Sequence, residues 1–105
     1  MTLREARVKF TILLPWLILQ AEDLGFEPAG DYLKRCQDCP VGAKSSNHKK
    51  SLAIDLHLYR DGVYQATTEA HKALGEFWES LHPWCRWGGR FNDGNHYEFI
   101  IGGWR

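Results

Sequence analysis

Two short segments of the sequence carry side chains of the kinds that bind transition metals. The first contains His48 and Asp55, and the second, further along the chain, contains Asp93 and His96. Two imidazoles and one carboxylate, here from His48, Asp55 and His96, form a normal ligand set for a catalytic zinc that keeps one coordination position open. Such a zinc lowers the pKa of a water molecule, but proton transfer to a leaving amine still needs a side-chain base. The carboxylate of Asp93, three residues before His96, is a candidate for that base.

Two further residues compete for roles in the same region. His57 is expected on the same face of its strand as Asp55 and could be a ligand. Glu98 shares a face with His96 and could be the base or a residue that orients a ligand. Spacing alone does not separate a metal site from polar residues that cluster for other reasons. The residues therefore leave the complete ligand set open.

The strands that would position these residues are indicated by hydrophobic alternation. In residues 52–59 one face carries Leu52, Ile54, Leu56 and Leu58, and the other carries Ala53, Asp55, His57 and Tyr59. This alternation predicts a half-buried strand whose apolar face covers the core. A final strand is predicted over residues 96–101. If the two strands are antiparallel neighbours, His48, Asp55 and His96 converge without any long loop.

Two helices are predicted to pack on these strands. Apolar residues at intervals of three and four indicate a helix over residues 4–24, in which Pro15 should cause a kink or mark the start of a second helix. A second helix is predicted from Thr67 or Thr68 to Pro83, with an apolar stripe formed by Ala70, Ala73, Leu74, Phe77, Trp78 and Leu81. The remaining predicted elements are a short edge strand at 26–29, a turn or short helix at 31–35, an exposed loop at 42–47, a hairpin turn at Asp61-Gly62 with a returning strand at 63–65, and a short strand at 84–87. His71 and His82 are placed off the apolar stripe of the second helix and are expected to be solvated.

The composition limits the domain count and the classes of partner. A chain of 105 residues with 44% hydrophobic content suits one compact domain over residues 1–105. Thirteen basic and thirteen acidic residues cancel, so no strong field attracts nucleic acid, and we expect no nucleic-acid partner. We expect the protein to be a monomer.

The most apolar run of the sequence is too short for a membrane span. It covers residues 10–19 and contains Pro15. Gln20, Glu22 and Asp23 follow it, where a signal peptide would have a small-residue cleavage site. We therefore expect no signal peptide, no stable membrane insertion and synthesis in the cytoplasm.

Three cysteines raise the question of a second metal. Cys36 and Cys39 form a CxxC pair, and Cys85 lies far along the chain. A redox pair would need a surrounding βαβ pattern, which is not evident. We expect reduced thiols, with a second zinc held by the three cysteines and a fourth ligand as the alternative.

The order and spacing of the candidate residues resemble those of the VanY-like zinc peptidases of the D-alanyl-D-alanine carboxypeptidase type. That family carries the motif SxHxxGxAxD and a later ExxH or DxxH. The matching residues here are Ser46-x-His48-x-x-Ser51-x-Ala53-x-Asp55 and Asp93-x-x-His96. Within the family, the chain is most similar to the phage endolysins that cut the L-alanyl–D-glutamate bond of peptidoglycan, and the match covers roughly residues 44–101.

The resemblance implies a fold, a metal and a substrate. The fold would be α+β, a single domain with a small antiparallel sheet flanked by helices. Zinc would be held by His48, Asp55 and His96, with Asp93 as general base. Ser46 would either contact a metal ligand and orient it or face the substrate. The substrate would be the peptidoglycan stem peptide, reached at the cell wall after release from the host cytoplasm. Under this resemblance His57 is reduced to a residue that supports the ligands.

The sequence departs from the family pattern at some positions. Ser51 replaces the usual Gly. The family commonly has an upstream Arg that stabilises the oxyanion, for which Arg35 is the nearest candidate and Lys44 and Arg90 are substitutes. The DxxH form favours an endopeptidase, by analogy. The alternatives are a D-Ala-D-Ala carboxypeptidase and a metal-binding module without catalytic activity.

Overall fold

The structure is a computed structural model, and it describes residues 1–31, 50 and 52–105. Within these residues the chain has the expected α+β architecture, with two helices and a five-stranded antiparallel sheet. The elements in chain order are helix α1 (Leu3–Asp23), strands β1 (Glu27–Asp31), β2 (Ala53–Arg60) and β3 (Val63–Tyr64), a 3-10 turn (Glu69–His71), helix α2 (Lys72–Leu81), strand β4 (Cys85–Trp87), a second 3-10 turn (Gly88–Phe91) and strand β5 (His96–Phe99).

The sheet has the order β1-β2-β5-β4, and β3 pairs with the end of β2. The prediction that β2 and the final strand are antiparallel neighbours is therefore confirmed. Strand β1 is longer than predicted, because its pairing with β2 continues from Glu27 opposite Tyr59 to Asp31 opposite Asp55. The turn or short helix predicted to begin at Asp31 is wrong at that residue, and the rest of that predicted segment lies outside the described residues.

Helix α1 is a single helix that starts at a capping box. The Thr2 hydroxyl accepts a hydrogen bond from the Glu5 backbone N–H at 3.1 Å, and the Glu5 carboxylate accepts one from the Thr2 N–H at 2.8 Å. These bonds satisfy backbone donors that a helix start leaves without partners. Pro15 lies inside α1 on its exposed side, and the helix continues to Asp23. The alternative of two separate helices is therefore wrong.

The core lies between the helices and one face of the sheet. Ile54, Leu56 and Leu58 on one face of β2, and Leu52 just before the strand, are 0–1% exposed. They belong to one cluster with residues from both helices and from β5, among them Phe10, Leu17, Leu74, Trp78 and Phe99. The predicted alternation is confirmed, so the opposite face of β2, which carries Asp55 and His57, faces away from the core.

Trp87 fixes the position of β4 relative to α2. Its indole lies against two glycines, and a Cβ atom would come within 2.1 Å of the ring at Gly75 and within 2.3 Å at Gly89. The Trp87 backbone N–H donates to the Glu79 carboxylate at 3.0 Å, and its indole N–H donates to the Gly94 carbonyl at 2.7 Å. Trp87 therefore connects α2 to the loop that precedes β5.

The buried face of α2 is rotated from the predicted apolar stripe. Ala73 is exposed, whereas Gly75 and Glu79 are buried. His71 lies on this rotated face and is only 2% exposed, with its Nδ1 atom 2.8 Å from the Tyr97 hydroxyl. The prediction that His71 is solvated is wrong, because close packing of Trp87 on Gly75 and pairing of Glu79 with Arg90 turn this side of the helix inward.

No helix in the described part of the chain is long and apolar enough to cross a membrane.

His82, the other histidine expected to be solvated, is only partly buried. Its Nδ1 atom accepts a hydrogen bond from the Trp84 backbone N–H at 3.0 Å. It therefore shapes the turn between α2 and β4.

Candidate active site

The register of β2 and β5 places two of the predicted metal ligands directly opposite each other. Asp55 and His96 are Cα partners in this antiparallel pair. The His96 Nδ1 atom lies 3.4 Å from Asp55 Oδ1, and the two side chains are 9% and 16% exposed, respectively. Facing residues in antiparallel strands lie close enough for their side chains to act on one atom. An imidazole and a carboxylate are thus brought together by the sheet itself.

Glu98 holds the other side of the His96 ring. It lies two residues along β5, on the same face, and its side chain is 5% exposed. Its Oε1 atom is 3.2 Å from His96 Nε2, and its Oε2 atom accepts a hydrogen bond from Arg86 Nε at 2.6 Å. Of the two roles left open for Glu98, its contacts favour that of orienting His96.

Arg86 and Phe91 add further contacts beside His96 and Glu98. The Arg86 guanidinium carbon lies 4.9 Å from the centre of the Phe91 ring, in a cation–π contact. The Phe91 ring in turn packs edge-on against His96, with ring centres 5.7 Å apart. The imidazole is therefore restrained by Glu98 through its nitrogen and by Phe91 through its ring.

The two carboxylates change the protonation of His96. Burial by itself lowers the pKa of the imidazole, but hydrogen bonds to Asp55 and Glu98 and their negative charges outweigh burial and raise the pKa to about 9. Without a metal, the ring is therefore mainly protonated at neutral pH. A metal that binds this nitrogen must displace a proton.

Asp93 lies in the tight turn that leads into β5. Its backbone N–H donates to the Gly88 carbonyl at 2.8 Å, and its carbonyl accepts from the His96 N–H at 3.1 Å. The turn passes so close to Gly88 that a Cβ atom there would lie 2.2 Å from the Asp93 carbonyl oxygen. Asn92 supplies the left-handed backbone conformation (φ 63°) that the turn requires. Asp93 itself is exposed, beside the strand that carries His96.

Comparison with known protein families identifies the family of this chain. A protein-family model described as D-alanyl-D-alanine carboxypeptidase matches residues 41–99, more than half of the chain. The chain belongs to this peptidase family. No curated protein and no solved structure matches the chain significantly. The match supports a peptidoglycan-acting peptidase of the D-alanyl-D-alanine carboxypeptidase type, and peptidases of this family are generally zinc-dependent.

The residues present fit the metal that this peptidase family generally uses. When a histidine binds a metal through one nitrogen, the other N–H usually donates to a carboxylate or carbonyl. Glu98 is such an acceptor, with its Oε1 atom 3.2 Å from Nε2, while Nδ1 lies 3.4 Å from Asp55 Oδ1. The described residues contain no group of three or more His, Cys, Asp or Glu side chains that could hold a metal. The third expected ligand, His48, lies outside them.

Several other residues named from the sequence also fall outside the described part of the chain. These are Ser46, Arg35, Lys44, Ser51, Cys36 and Cys39. Cys85, the described member of the alternative cysteine site, is buried, and burial raises the pKa of its thiol to about 12.

Two residues proposed for the peptidase site have other partners. His57 is on the predicted face, but its Nδ1 atom lies 3.4 Å from the Tyr64 hydroxyl. Arg90, a substitute candidate for stabilising the oxyanion, donates two hydrogen bonds of 2.7 Å to the buried Glu79 carboxylate. Glu79 and Arg90 hold α2 to the second 3-10 turn, so Arg90 has a structural role.

Arg86 is the residue of the site that sequence reasoning missed. It lies in the predicted strand 84–87, and alternation along that strand puts it on the face opposite to Cys85 and Trp87. Its meeting with Glu98 depends on the pairing of β4 with β5, in which Arg86 and Glu98 are opposite each other. Nothing in the local sequence specifies that register.

Proposed function

We propose that this chain is a zinc-dependent peptidoglycan peptidase that hydrolyses the L-alanyl–D-glutamate bond of the stem peptide. The observation that carries the proposal is the contact between Asp55 and His96 across β2 and β5, with Asp93 in the turn just before His96. The bond specificity rests on the likeness of the Asp93-x-x-His96 motif to that of phage endolysins. Its action would be at the cell wall, after synthesis in a host cytoplasm and release from it.

The proposed roles follow from side-chain chemistry. His48, Asp55 and His96 hold the metal, and Glu98 keeps the His96 ring in place. Zinc, when bound, polarises a carbonyl and lowers the pKa of a water molecule. Asp93 accepts the proton of the attacking water as the new C–O bond forms, and gives that proton to the leaving amine as the C–N bond breaks.

Two residues outside the described part complete the proposed scheme. Arg35 is proposed to stabilise the negative charge that develops on the carbonyl oxygen, since a preorganised cation lowers the energy of that charge. Ser46 is proposed either to contact a metal ligand and orient it or to contact the substrate. The products are a carboxylate on alanine and a free amine on glutamate.

The test uses purified peptidoglycan and the zinc-loaded chain. Mass spectrometry of the fragments is expected to show new ends at the alanine–glutamate bond. Asp93→Asn is expected to abolish this hydrolysis while zinc content stays at that of the wild type, because Asp93 is proposed as base and not as ligand. His96→Ala is expected to lose the metal as well as the activity.

A matched control is available on the β2–β3 hairpin. Asp61 is an exposed aspartate with φ 51°, a conformation that asparagine also tolerates, so Asp61→Asn should keep full activity. Wild-type rates in Asp93→Asn, or full zinc content in His96→Ala, would contradict the assigned roles.

The family description favours a second candidate function, a D-alanyl-D-alanine carboxypeptidase. In that case the same fragments would show release of the terminal D-alanine and an intact alanine–glutamate bond. If neither bond is cut although zinc is bound, the chain is a metal-binding module without peptidase activity. One assay therefore separates all three functions.

A further inference from the structure

The guanidinium of Arg86 has hydrogen-bonding capacity that its contact with Glu98 does not use. Its Nε atom donates to the Glu98 carboxylate at 2.6 Å. A guanidinium carries further N–H donors on both Nη atoms. Within the described part of the chain these donors have no hydrogen-bond acceptor, and the side chain is 32% exposed. Arg86 therefore presents a cationic edge to solvent while a buried carboxylate holds its Nε atom.

This cationic edge lies beside the candidate metal ligand His96. Glu98 contacts both residues, with Oε2 on Arg86 and Oε1 at 3.2 Å from His96 Nε2. Phe91 also contacts both, since its ring centre is 4.9 Å from the Arg86 guanidinium carbon and 5.7 Å from the centre of the His96 ring. The guanidinium is thus held in place, and an anion that binds it does not have to order a flexible side chain.

The charges on this face of the sheet leave few places for an anionic group. The described strands contain two arginines and no lysine, and Arg60 lies on the opposite face of β2 from Asp55. Arg86 shares the face of Asp55 and Glu98 through the pairing of β4, β5 and β2. A negatively charged part of a substrate is repelled by these carboxylates, so on this face of the described strands the position beside Arg86 is favourable for it.

Both candidate substrates carry a carboxylate next to the bond that is cut. In the stem peptide the glutamate is joined to the following residue through its side-chain carboxyl, so its α-carboxylate is free. In a D-alanyl-D-alanine terminus the last alanine has a free α-carboxylate. In each case the amino acid that leaves with the new amine carries a carboxylate on the carbon attached to that nitrogen.

From these observations we infer that Arg86 binds the α-carboxylate of the leaving amino acid through its Nη atoms. The inference rests on the proposed function, because it names the part of the substrate that the same site recognises. Two N–H groups on one edge of a guanidinium match the two oxygens of a carboxylate. Arg86 is then a specificity-determining residue, and its Nε atom continues to hold Glu98.

The test compares peptides that differ only in this carboxylate. One pair is N-acetyl-L-alanyl-γ-D-glutamyl-L-lysine with a free α-carboxylate or an α-carboxamide on the glutamate. A second pair ends in D-alanyl-D-alanine with a free or an amidated terminus, and covers the carboxypeptidase function. Hydrolysis by the full chain is measured at zinc concentrations that saturate every variant, so that differences in metal affinity do not enter.

The wild type should prefer the free carboxylate in the pair that it cleaves. The expected preference is about tenfold in kcat/KM, because hydrogen bonds between charged groups are strong but water weakens them at a partly exposed arginine. The preference should lie mainly in KM, since the contact is already present before the bond is cut.

Variants of Arg86 should change the preference, and other variants should not. Arg86→Gln should cleave both members of the pair at similar rates, because the cation is lost. Arg86→Lys should keep a preference of about threefold, since lysine supplies a charge without the paired donors. Glu98→Gln should slow both members alike and keep the preference, because it acts through His96. Arg60→Gln changes an arginine outside the site and should keep the wild-type rates and preference.

The outcomes separate this inference from the proposed function. The inference alone is overturned if the wild type cleaves both members of a pair equally well, or if Arg86→Gln slows both members and keeps the preference. It is also overturned if Glu98→Gln loses the preference as Arg86→Gln does, because the position of His96 would then explain both. If the zinc-loaded wild type cleaves none of these peptides, the proposed function fails and the inference fails with it. Circular dichroism identifies misfolded variants, and if Arg86→Gln does not fold, a wild-type preference in Arg86→Lys overturns the inference.

Discussion

Acid should destabilise this protein through His71, the buried histidine beside Tyr97. Burial lowers the pKa of the His71 imidazole from 6.5 to about 4, with a smaller contribution from the charge of His57. In the unfolded chain the ring takes up a proton below pH 6.5, whereas in the folded protein it stays neutral down to about pH 4. The stability that this neutral ring provides is therefore present above pH 6.5 and lost as the pH falls from 6.5 toward 4.

The size of the loss follows from the two pKa values. Proton linkage between 6.5 in the unfolded state and about 4 in the folded state gives about 2 kcal/mol between pH 7 and pH 5. That is a large fraction of the stability of a small domain, which is typically about 5–15 kcal/mol. Urea unfolding at both pH values, with the metal removed by a chelator, measures the loss without a contribution from pH-dependent metal binding.

Comparison with His71→Gln isolates the contribution of this ring. Glutamine does not titrate and can still hydrogen-bond to Tyr97, so the variant should lose about 2 kcal/mol less than the wild type over the same interval. Tyr97→Phe removes the hydrogen bond but keeps the imidazole buried, and should retain a pH-dependent loss of the same sign. Equal losses in wild type and His71→Gln would refute the idea that His71 is held neutral in the fold.

Two more predictions concern the candidate site. Gly88→Ala should destabilise the fold by about 2 kcal/mol, since its Cβ atom would lie 2.2 Å from the Asp93 carbonyl oxygen. It should also reduce hydrolysis by more than the loss of stability explains. Wild-type stability and activity in this variant would show that the turn is not held against Gly88. Arg86→Gln should lower zinc affinity by about tenfold in a chelator competition, because Glu98 loses the cation that positions it. Arg60→Gln is the matched control, because Arg60 also stacks on an aromatic ring, that of Phe26, but lies outside the site. Equal zinc affinities in the two variants would count against the role of Arg86.

Much of the local structure follows from the sequence. Hydrophobic alternation over residues 52–59 predicted β2 and its buried face, and the apolar spacing in residues 4–24 predicted α1. These predictions succeeded because a side chain's face is fixed by the 2.0 or 3.6 residue period of its own element. The Asp61-Gly62 turn was predictable for a similar reason, since its positive φ angles favour these two residue types.

The errors occurred where burial depends on a distant partner. The local pattern placed His71 off the apolar stripe of α2. It is buried because the approach of Trp87 to Gly75 defines which side of the helix faces inward. No local pattern indicated a contact for residues 102–105, yet the Trp104 indole donates to the Cys85 carbonyl at 2.9 Å. Such contacts join residues far apart in sequence, and no local period encodes them.

The candidate site divides in the same way. The sequence by itself determined which residue types are available, namely imidazole and carboxylate groups at His48, Asp55, Asp93 and His96. Only the tertiary structure decided that Asp55 faces His96 and that Arg86 reaches Glu98, because both meetings depend on strand order and register. A shift of one residue in either pairing would move these side chains to opposite faces of the sheet. The chemistry was therefore specified by composition and spacing, and its geometry by long-range pairing of β2, β4 and β5.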